Sequence, residues 1–204
     1  MKLAVIIPVY NAENTIRKAV KSIDTTHDVE IICINDGSTD RTKQVLTELQ
    51  KEVKHLIVYH QDNQGAAKSR NMGLSAMSDD IDAFMFLDAD DQFLPGKMDQ
   101  MIQYYEKNEH LDIVIGQIGR GLNGDWKVIP THEDIHREAI VSLAEAPEIL
   151  QSIGPGGKLF KAKFNTLRFD EDVVFCEEHT FMARAFNKAS DIQLLPNIIY
   201  GYNN

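Results

Sequence analysis

Cysteine is scarce in this chain, with only Cys33 and Cys176 among 204 residues. Both lie in apolar stretches. Two thiols cannot build a disulfide framework or a four-cysteine metal centre, so they fit a reducing compartment with no structural role of their own. Long apolar runs are missing too. No stretch approaches the roughly 18–20 uninterrupted apolar residues that cross a bilayer. The first such run, Leu3 to Ile7, stops at Pro8 without a small-residue cleavage site, so residues 2–8 read as a strand and not as a signal peptide. The expectation is a cytoplasmic protein that meets a membrane, if at all, peripherally at its inner face. Excess positive charge is the third absence. Against 21 Lys+Arg stand 31 Asp+Glu, and the resulting −10 repels a polyphosphate backbone, which excludes a nucleic-acid-coating protein.

What is present is the composition of an ordinary globular domain, 43% apolar and 25% charged, with enough residues to bury one substantial core. The acidic excess is uneven. Asp79, Asp80, Asp82, Asp88, Asp90 and Asp91 put six aspartates within 13 residues.

Short continuous apolar runs at 2–8, 29–34, 55–59, 83–87 and 112–115 read as strands buried on both faces. Residues 12–23 and 41–53 carry apolar positions at helical spacing between them, and helices are also expected at 65–77 and 96–108. Such alternation predicts an α/β fold with a mainly parallel sheet flanked by helices. After about residue 118 the pattern changes. Residues 119–130 read as a hairpin around Asn123-Gly124, 134–151 as a helix, 154–157 as a flexible glycine loop, 177–188 as a helix and 192–200 as a strand. This half reads as a smaller mixed lobe packed on the first sheet.

In open α/β sheets, ligands bind beyond the carboxyl ends of the strands, where loops and helix N-termini converge. Here the first four strands end in Pro8-Val9-Tyr10-Asn11, Asn35-Asp36-Gly37-Ser38-Thr39-Asp40, Gln61-Asp62-Asn63-Gln64-Gly65 and Asp88-Ala89-Asp90-Asp91. One such cluster is a turn; four at one sheet edge describe a site. Asp88 and Asp90 flank a small residue and suit a hard divalent cation, Mg2+ or Mn2+, which prefers oxygen ligands and reconciles an acidic site with an anionic ligand. Asp36 is an acceptor suited to the N–H edge of a base, with Tyr10 beside it to stack or pack. Lys68 and Arg70, on the helix that Gly65 opens, suit phosphate or the neighbouring aspartates. Asp79, Asp80 and Asp82 precede their strand and belong at its opposite end, as solvating charge.

In order and approximate spacing, Val5-Ile6-Ile7-Pro8-Val9-Tyr10-Asn11, Ile34 through Asp40, Asn63-Gln64-Gly65 with Arg70-Asn71 and Gly73, and Phe86 through Asp91 resemble the inverting nucleotide-sugar glycosyltransferases of family 2, which have the GT-A fold. The resemblance implies a nucleotide-sugar-binding half at 1–117 and an acceptor-side, base-bearing half at 118–204 of one Rossmann-like domain. It further implies that Pro8, Tyr10, Asn11, Asn63 and Gly65 line or shape the nucleotide pocket and that Asp36 binds the base. Asp88-Ala89-Asp90 would form the DXD motif, with Asp90 and Asp88 at the metal and Arg70 supporting them. The expected donor is a UDP-sugar and the acceptor a hydroxyl-bearing glycan or glycoconjugate, as in cell-surface polysaccharide synthesis. Members of the family commonly continue into further acceptor or membrane-associated segments.

The catalytic base of the family is usually the second acid of a Glu-Asp pair, where this chain has Glu177-Glu178. In a helix starting near Glu177, Glu178 shares the apolar face of Phe181, Met182 and Ala185, whereas Glu177 points a quarter-turn away. That favours Glu178 and leaves Glu177 as its competitor. His179 is open to a metal or phosphate contact, though a solvated or structural role is commoner for a lone histidine. Gly119 to Gly124 formally matches a dinucleotide fingerprint, but it precedes a returning strand and not a helix. Gly154-Pro155-Gly156-Gly157-Lys158 fails the phosphate-loop pattern and is expected to border the acceptor cleft. The rival readings are a sugar-phosphate nucleotidyltransferase, disfavoured because residues 8–15 contain neither glycine nor a basic side chain, and a non-catalytic nucleotide-sugar-binding module.

Overall fold

The apolar runs of the first half become parallel strands, buried on both faces except for the run at 56–61, which is the sheet edge and only partly buried. The computed structural model describes all residues except Asn123, Val174, Phe175 and Asn204, and the side chain of Leu122. In β1 (Lys2–Val9), Leu3, Val5 and Ile7 enter one core and Ala4 and Ile6 the other. This is the two-residue period of a strand covered on both sides, which is why the run shows no polar alternation. Parallel neighbours β2 (Asp28–Asp36) and β4 (Ala83–Phe86) flank β1, and β3 (Leu56–Gln61) lies beyond β2. Helices α1 (Ile16–Lys21), α2 (Thr42–Glu52) and α4 (Lys97–Lys107) cover the face of Leu3, while α3 (Ala66–Ala76) and α5 (Glu177–Lys188) cover the face of Ile6.

Strands from the second half enter the same sheet. They are β6 (Ile113–Leu122), β9 (Lys158–Lys161) and β10 (Ile192–Tyr202), with the short β5 (Gln92–Phe93), and the order is β3-β2-β1-β4-β9-β6-β10-β5. β9 runs antiparallel between β4 and β6, and β10 is parallel to β6. β7 (Asp125–Val128) returns antiparallel on β6 as the expected hairpin, although Asn123 of its turn lies outside the described residues. The described residues of the G-x-G-x-x-G segment are thus strand and, at Gly124, turn, and open no helix.

Several expectations need correction. Residues 134–151 are not a helix: β8 (Ala139–Val141) pairs antiparallel with β10, and a 3-10 turn occupies Pro147–Gln151. Ala139-Ile140-Val141 finds ladder partners there, and Pro147, which has no N–H to donate, can only start a new turn. The α1 helix is shorter than the apolar spacing suggested, because residues 12–15 form a turn around the carbonyl of Ala12. Residues 154–157 are packed, all four being buried, so the glycine loop is not a solvent-exposed hinge. Cys33 does have a structural place, fully buried in β2, whereas Cys176 is exposed.

Close packing explains one motif glycine. A Cβ on Gly73 would lie 2.3 Å from Cγ2 of Ile6, so α3 rests directly on β1 and its N-terminal half reaches the strand ends. At the opposite edge, as expected, Asp80 and Asp82 lie beside Lys2: the Lys2 ammonium pairs with Asp80 at 2.7 Å and its backbone N–H donates to Asp82 at 2.8 Å. Among the described residues no helix is long and apolar enough to cross a membrane.

Candidate active site

At the carboxyl ends of β1, β2 and β4, the first turns of α3 close a cavity of about 370 Å³. Pro8, Tyr10, Asn11, Asp36, Arg70, Asp88, Ala89 and Asp90 all line it. Residues from four separate stretches of sequence therefore share one wall. Asn63 and Gly65 stand behind that wall, and Glu177 and Glu178 approach from α5.

The wall is stitched together by side-chain hydrogen bonds, in which the cavity-lining Asn11 is central. Asn11 adopts a left-handed backbone (φ 48°), tolerable for asparagine. Its N–H donates to Ser38 Oγ at 3.0 Å, and its Oδ1 accepts the Thr39 N–H at 2.8 Å. Nearby, the Ala12 N–H donates to Thr42 Oγ1 and the Glu13 N–H to Asp40. These bonds tie the β1 and β2 loops to each other. Tyr10 stands 52% exposed at the rim.

Asp36 organises the third loop. Its Oδ1 accepts from Gln61 Nε2 at 2.6 Å and from the Gln64 N–H at 2.8 Å, and its Oδ2 accepts from the Gly65 N–H at 2.8 Å. A carboxylate offers about four acceptor positions, so one on Oδ2 is left for a ligand donor. Gly37 must be glycine here: it has φ 67°, and a Cβ would meet the Asn63 nitrogen at 2.6 Å.

Arg70 is the hub of the acidic side. It is 3% exposed, its guanidinium lies 5.5 Å from the centre of the Phe169 ring, and three acids converge on it. Nη2 reaches Asp88 Oδ1 at 2.9 Å and Glu178 Oε1 at 2.7 Å, while Nη1 is 3.7 Å from Glu177. Burial opposes its charge, but Asp88 and Glu178 more than offset that, so its pKa stands above the ordinary arginine value. Nε and Nη1 are buried without a hydrogen-bond partner among the described residues. Lys68, by contrast, is half-buried and among the described residues reaches Gln64, so of the two expected cations it is Arg70 that braces an aspartate.

Glu178 and Glu177 both point toward Arg70, so the quarter-turn between them does not remove Glu177 from the cluster. Glu178 has the shorter contact. Burial pushes its carboxyl upward, Arg70 opposes this, and Asp88 and Glu177 add to the rise. A Cβ on Gly154 would lie 3.4 Å from Glu178 Oε2 and 3.6 Å from the Tyr202 hydroxyl, so the glycine loop abuts the free side of that carboxylate.

Two features escaped the sequence reading. Lys158 is fully buried under the glycine loop, donating to the Gly154 carbonyl at 2.5 Å and that of Gly156 at 3.3 Å, and burial pushes its pKa down to about 7. Tyr200 of the last strand and Asn203 just after it bind the Asp88–Asp91 loop. A lysine just after a glycine run was a visible signal for the first; the second depends on pairing between remote segments.

The donor set suits a hard cation shared with an anionic ligand. Asp88 has one oxygen committed to Arg70 and Asp90 is exposed at the cavity rim, so two carboxylates are available and ligand oxygens and water would complete the shell. An all-protein metal cage is a different matter: among the described residues no group of three or more His, Cys, Asp or Glu side chains is placed to hold an ion, His179 included.

Comparison with known proteins agrees with this geometry. The model of glycosyl transferase family 2 matches residues 4–188. A "Putative glycosyltransferase TagX" of Staphylococcus aureus (strain N315) is 38% identical over 207 residues, covering 100% of this chain and 59% of its own length. A poly(ribitol-phosphate) beta-glucosyltransferase of Bacillus spizizenii is 28% identical over 99% of this chain and 32% of its own length. The chain thus spans about three-fifths of the TagX length. Among solved structures, S. aureus TarS 1–349 superposes with a TM-score of 0.86 at 23% identity, covering 100% of this chain and 60% of that one, and its complex with UDP-GlcNAc gives 0.85. With the fold, the strand-end motifs and the match over most of its length in agreement, the chain belongs to glycosyl transferase family 2.

Proposed function

We propose that this chain carries the donor site and the catalytic base of an inverting glycosyltransferase that moves a sugar from a nucleoside diphosphate, UDP in the first instance, to an acceptor hydroxyl. The observation that carries the reading is Arg70, whose single Nη2 touches both Asp88 on the cavity wall and Glu178 on α5. One rigid cation therefore ties the donor pocket to the candidate base.

In this reading Tyr10 packs against the nucleotide and Asp36 accepts from its base, while the hydrogen-bonded loops of Asn11 and Ser38 shape the pocket wall. A divalent cation, Mg2+ or Mn2+, held by Asp90 and Asp88 would supply charge neutralisation for the diphosphate. Glu178, raised by burial, is suited to take the proton of the acceptor hydroxyl as that oxygen attacks the anomeric carbon. The bond to the diphosphate oxygen breaks as the new glycosidic bond forms, and a single displacement inverts the centre. The TarS complexes with UDP and UDP-GlcNAc support the choice of UDP. The poly(ribitol-phosphate) in the name of the Bacillus relative supports a polyol or glycan acceptor, which would suit a protein working at the inner face of a membrane.

The test is a panel of nucleotide-sugars with Mn2+, read by calorimetry and by slow donor hydrolysis. Glu178→Gln should bind UDP-sugar as the parent does yet lose turnover by about a hundredfold or more, while Asp90→Ala should lose the manganese-dependent part of binding. Full activity of Glu178→Gln would move the base to Glu177. Donor binding without any turnover in the parent would favour a non-catalytic binding module.

A further inference from the structure

We infer that Tyr200 on β10 and Asn203 immediately after it are positioning residues that hold the Asp88–Asp91 loop in its donor-binding shape, an inference that rests on the cavity's reading as a nucleoside-diphosphate site. Tyr200 is fully buried, and its hydroxyl works in both directions: it accepts the Asp88 backbone N–H at 3.0 Å and donates to Asp91 Oδ2 at 2.9 Å. Asn203 makes a second bridge, its N–H donating to Asp91 Oδ1 at 3.1 Å and its Nδ2 to the Asp90 carbonyl at 2.7 Å. The loop is therefore tied to β10 and the residue after it at the backbone of Asp88, the backbone of Asp90 and the side chain of Asp91. The carboxylate of Asp90 and the oxygen of Asp88 that Arg70 does not take are left for the cavity.

Packing alone does not call for this arrangement. The Tyr200 ring sits edge-on to Phe93 at 5.8 Å and to Tyr202 at 5.6 Å, contacts a phenylalanine would make equally well. Burying a hydroxyl and a carboxylate is costly unless each is satisfied by the other. Asp91 is buried beside Asp88, where a second negative charge is unfavourable, yet it is anchored by two donors from β10 and the residue after it. The consequence is a loop whose two cavity-facing acids are set by a strand more than a hundred residues away in sequence. Asn203 is braced in turn by Lys18 and Gln92, each donating to its Oδ1.

The experiment titrates UDP into the chain with and without Mn2+, for the parent, Tyr200→Phe, Asn203→Ala and Asp90→Ala, with thermal unfolding of each. Tyr200→Phe and Asn203→Ala should each weaken manganese-dependent UDP binding about tenfold or more, while metal-free UDP binding, which relies on Tyr10 and Asp36, stays within about twofold. A general loss of structure would lower both together and depress the unfolding midpoint, which overturns the positioning role. Manganese-dependent affinity equal to the parent's in both variants also overturns it. Asn203→Ala, just past the end of the strand, keeps the comparison open if Tyr200→Phe does not fold. Failure of the underlying reading looks different: the parent binds no UDP, or Asp90→Ala retains full manganese dependence, and the inference falls with it.

Discussion

Arg70 carries more of the site than any other side chain, and its surroundings make a sharp expectation. Three carboxylates, from Asp88, Glu177 and Glu178, face a guanidinium that is almost entirely removed from water. Removing the cation from such a cluster leaves uncompensated buried charge, which typically costs about 3–5 kcal/mol. Arg70→Met should show that loss in denaturant unfolding at neutral pH. The sign of its pH dependence follows from the acids: without Arg70 they hold protons more tightly in the folded state than in the unfolded one. The deficit should therefore shrink as pH falls from about 7 to about 5. A deficit that does not change with pH would mean that Arg70 acts by packing on Phe169 and not by charge.

Among elements, the glycine loop and β9 form a unit built on Lys158. Its ammonium holds the carbonyls of Gly154 and Gly156, with His132 close enough that burial and the lysine's charge push the imidazole down to about 3. The lysine's pKa is about 7 in the folded chain against an ordinary 10.5. The unfolded chain thus binds the extra proton between those values, and parent stability should rise with pH across that window, by up to about 1.4 kcal/mol per pH unit. Measured against Lys158→Met, which has no such proton, the parent should gain steadily from about pH 7 to about pH 10. Parallel curves would show that the ammonium is not the titrating group.

Element types in the first half were legible because β1, β2 and β4 are apolar runs covered on both faces, β3 is a shorter apolar run at the edge, and α2 and α4 keep one apolar stripe. The strand-end clusters were legible for a related reason: parallel strands deliver their carboxyl ends to one edge. Residues 134–151 misled because Ile135, Leu143 and Ile149 suggest a helical period, while Pro147 and the pairing of β8 with β10 decide otherwise. The two-residue β5 has no periodicity to read. Tyr200 and Asn203 carried no local signal of their contact with Asp91, since it arises from pairing between distant segments.

At the scale of the whole molecule, the placement of β9 governs how the chain can be divided. β4 and β6 are both made before residue 123, yet they do not touch as neighbours; β9, residues 158–161, lies between them. A fragment ending at residue 117 would present the open edges of β4 and β6 to solvent, and such edges template association. Expressed alone, residues 1–117 should aggregate or remain partly unfolded, while residues 1–204 should be monodisperse by light scattering. A folded, monomeric 1–117 would show that the donor half closes without its keystone.

That keystone also sets an order in time. A nascent chain grows from its N-terminus, and β1 to β4 with their helices can gather as they emerge. The seam between β4 and β6 stays unzipped until the ribosome has released β9. During that interval the acids at the end of β4 are already synthesised, but β10, which fixes their loop, is not. The nucleotide pocket is among the first parts of this chain to be made and among the last to be finished.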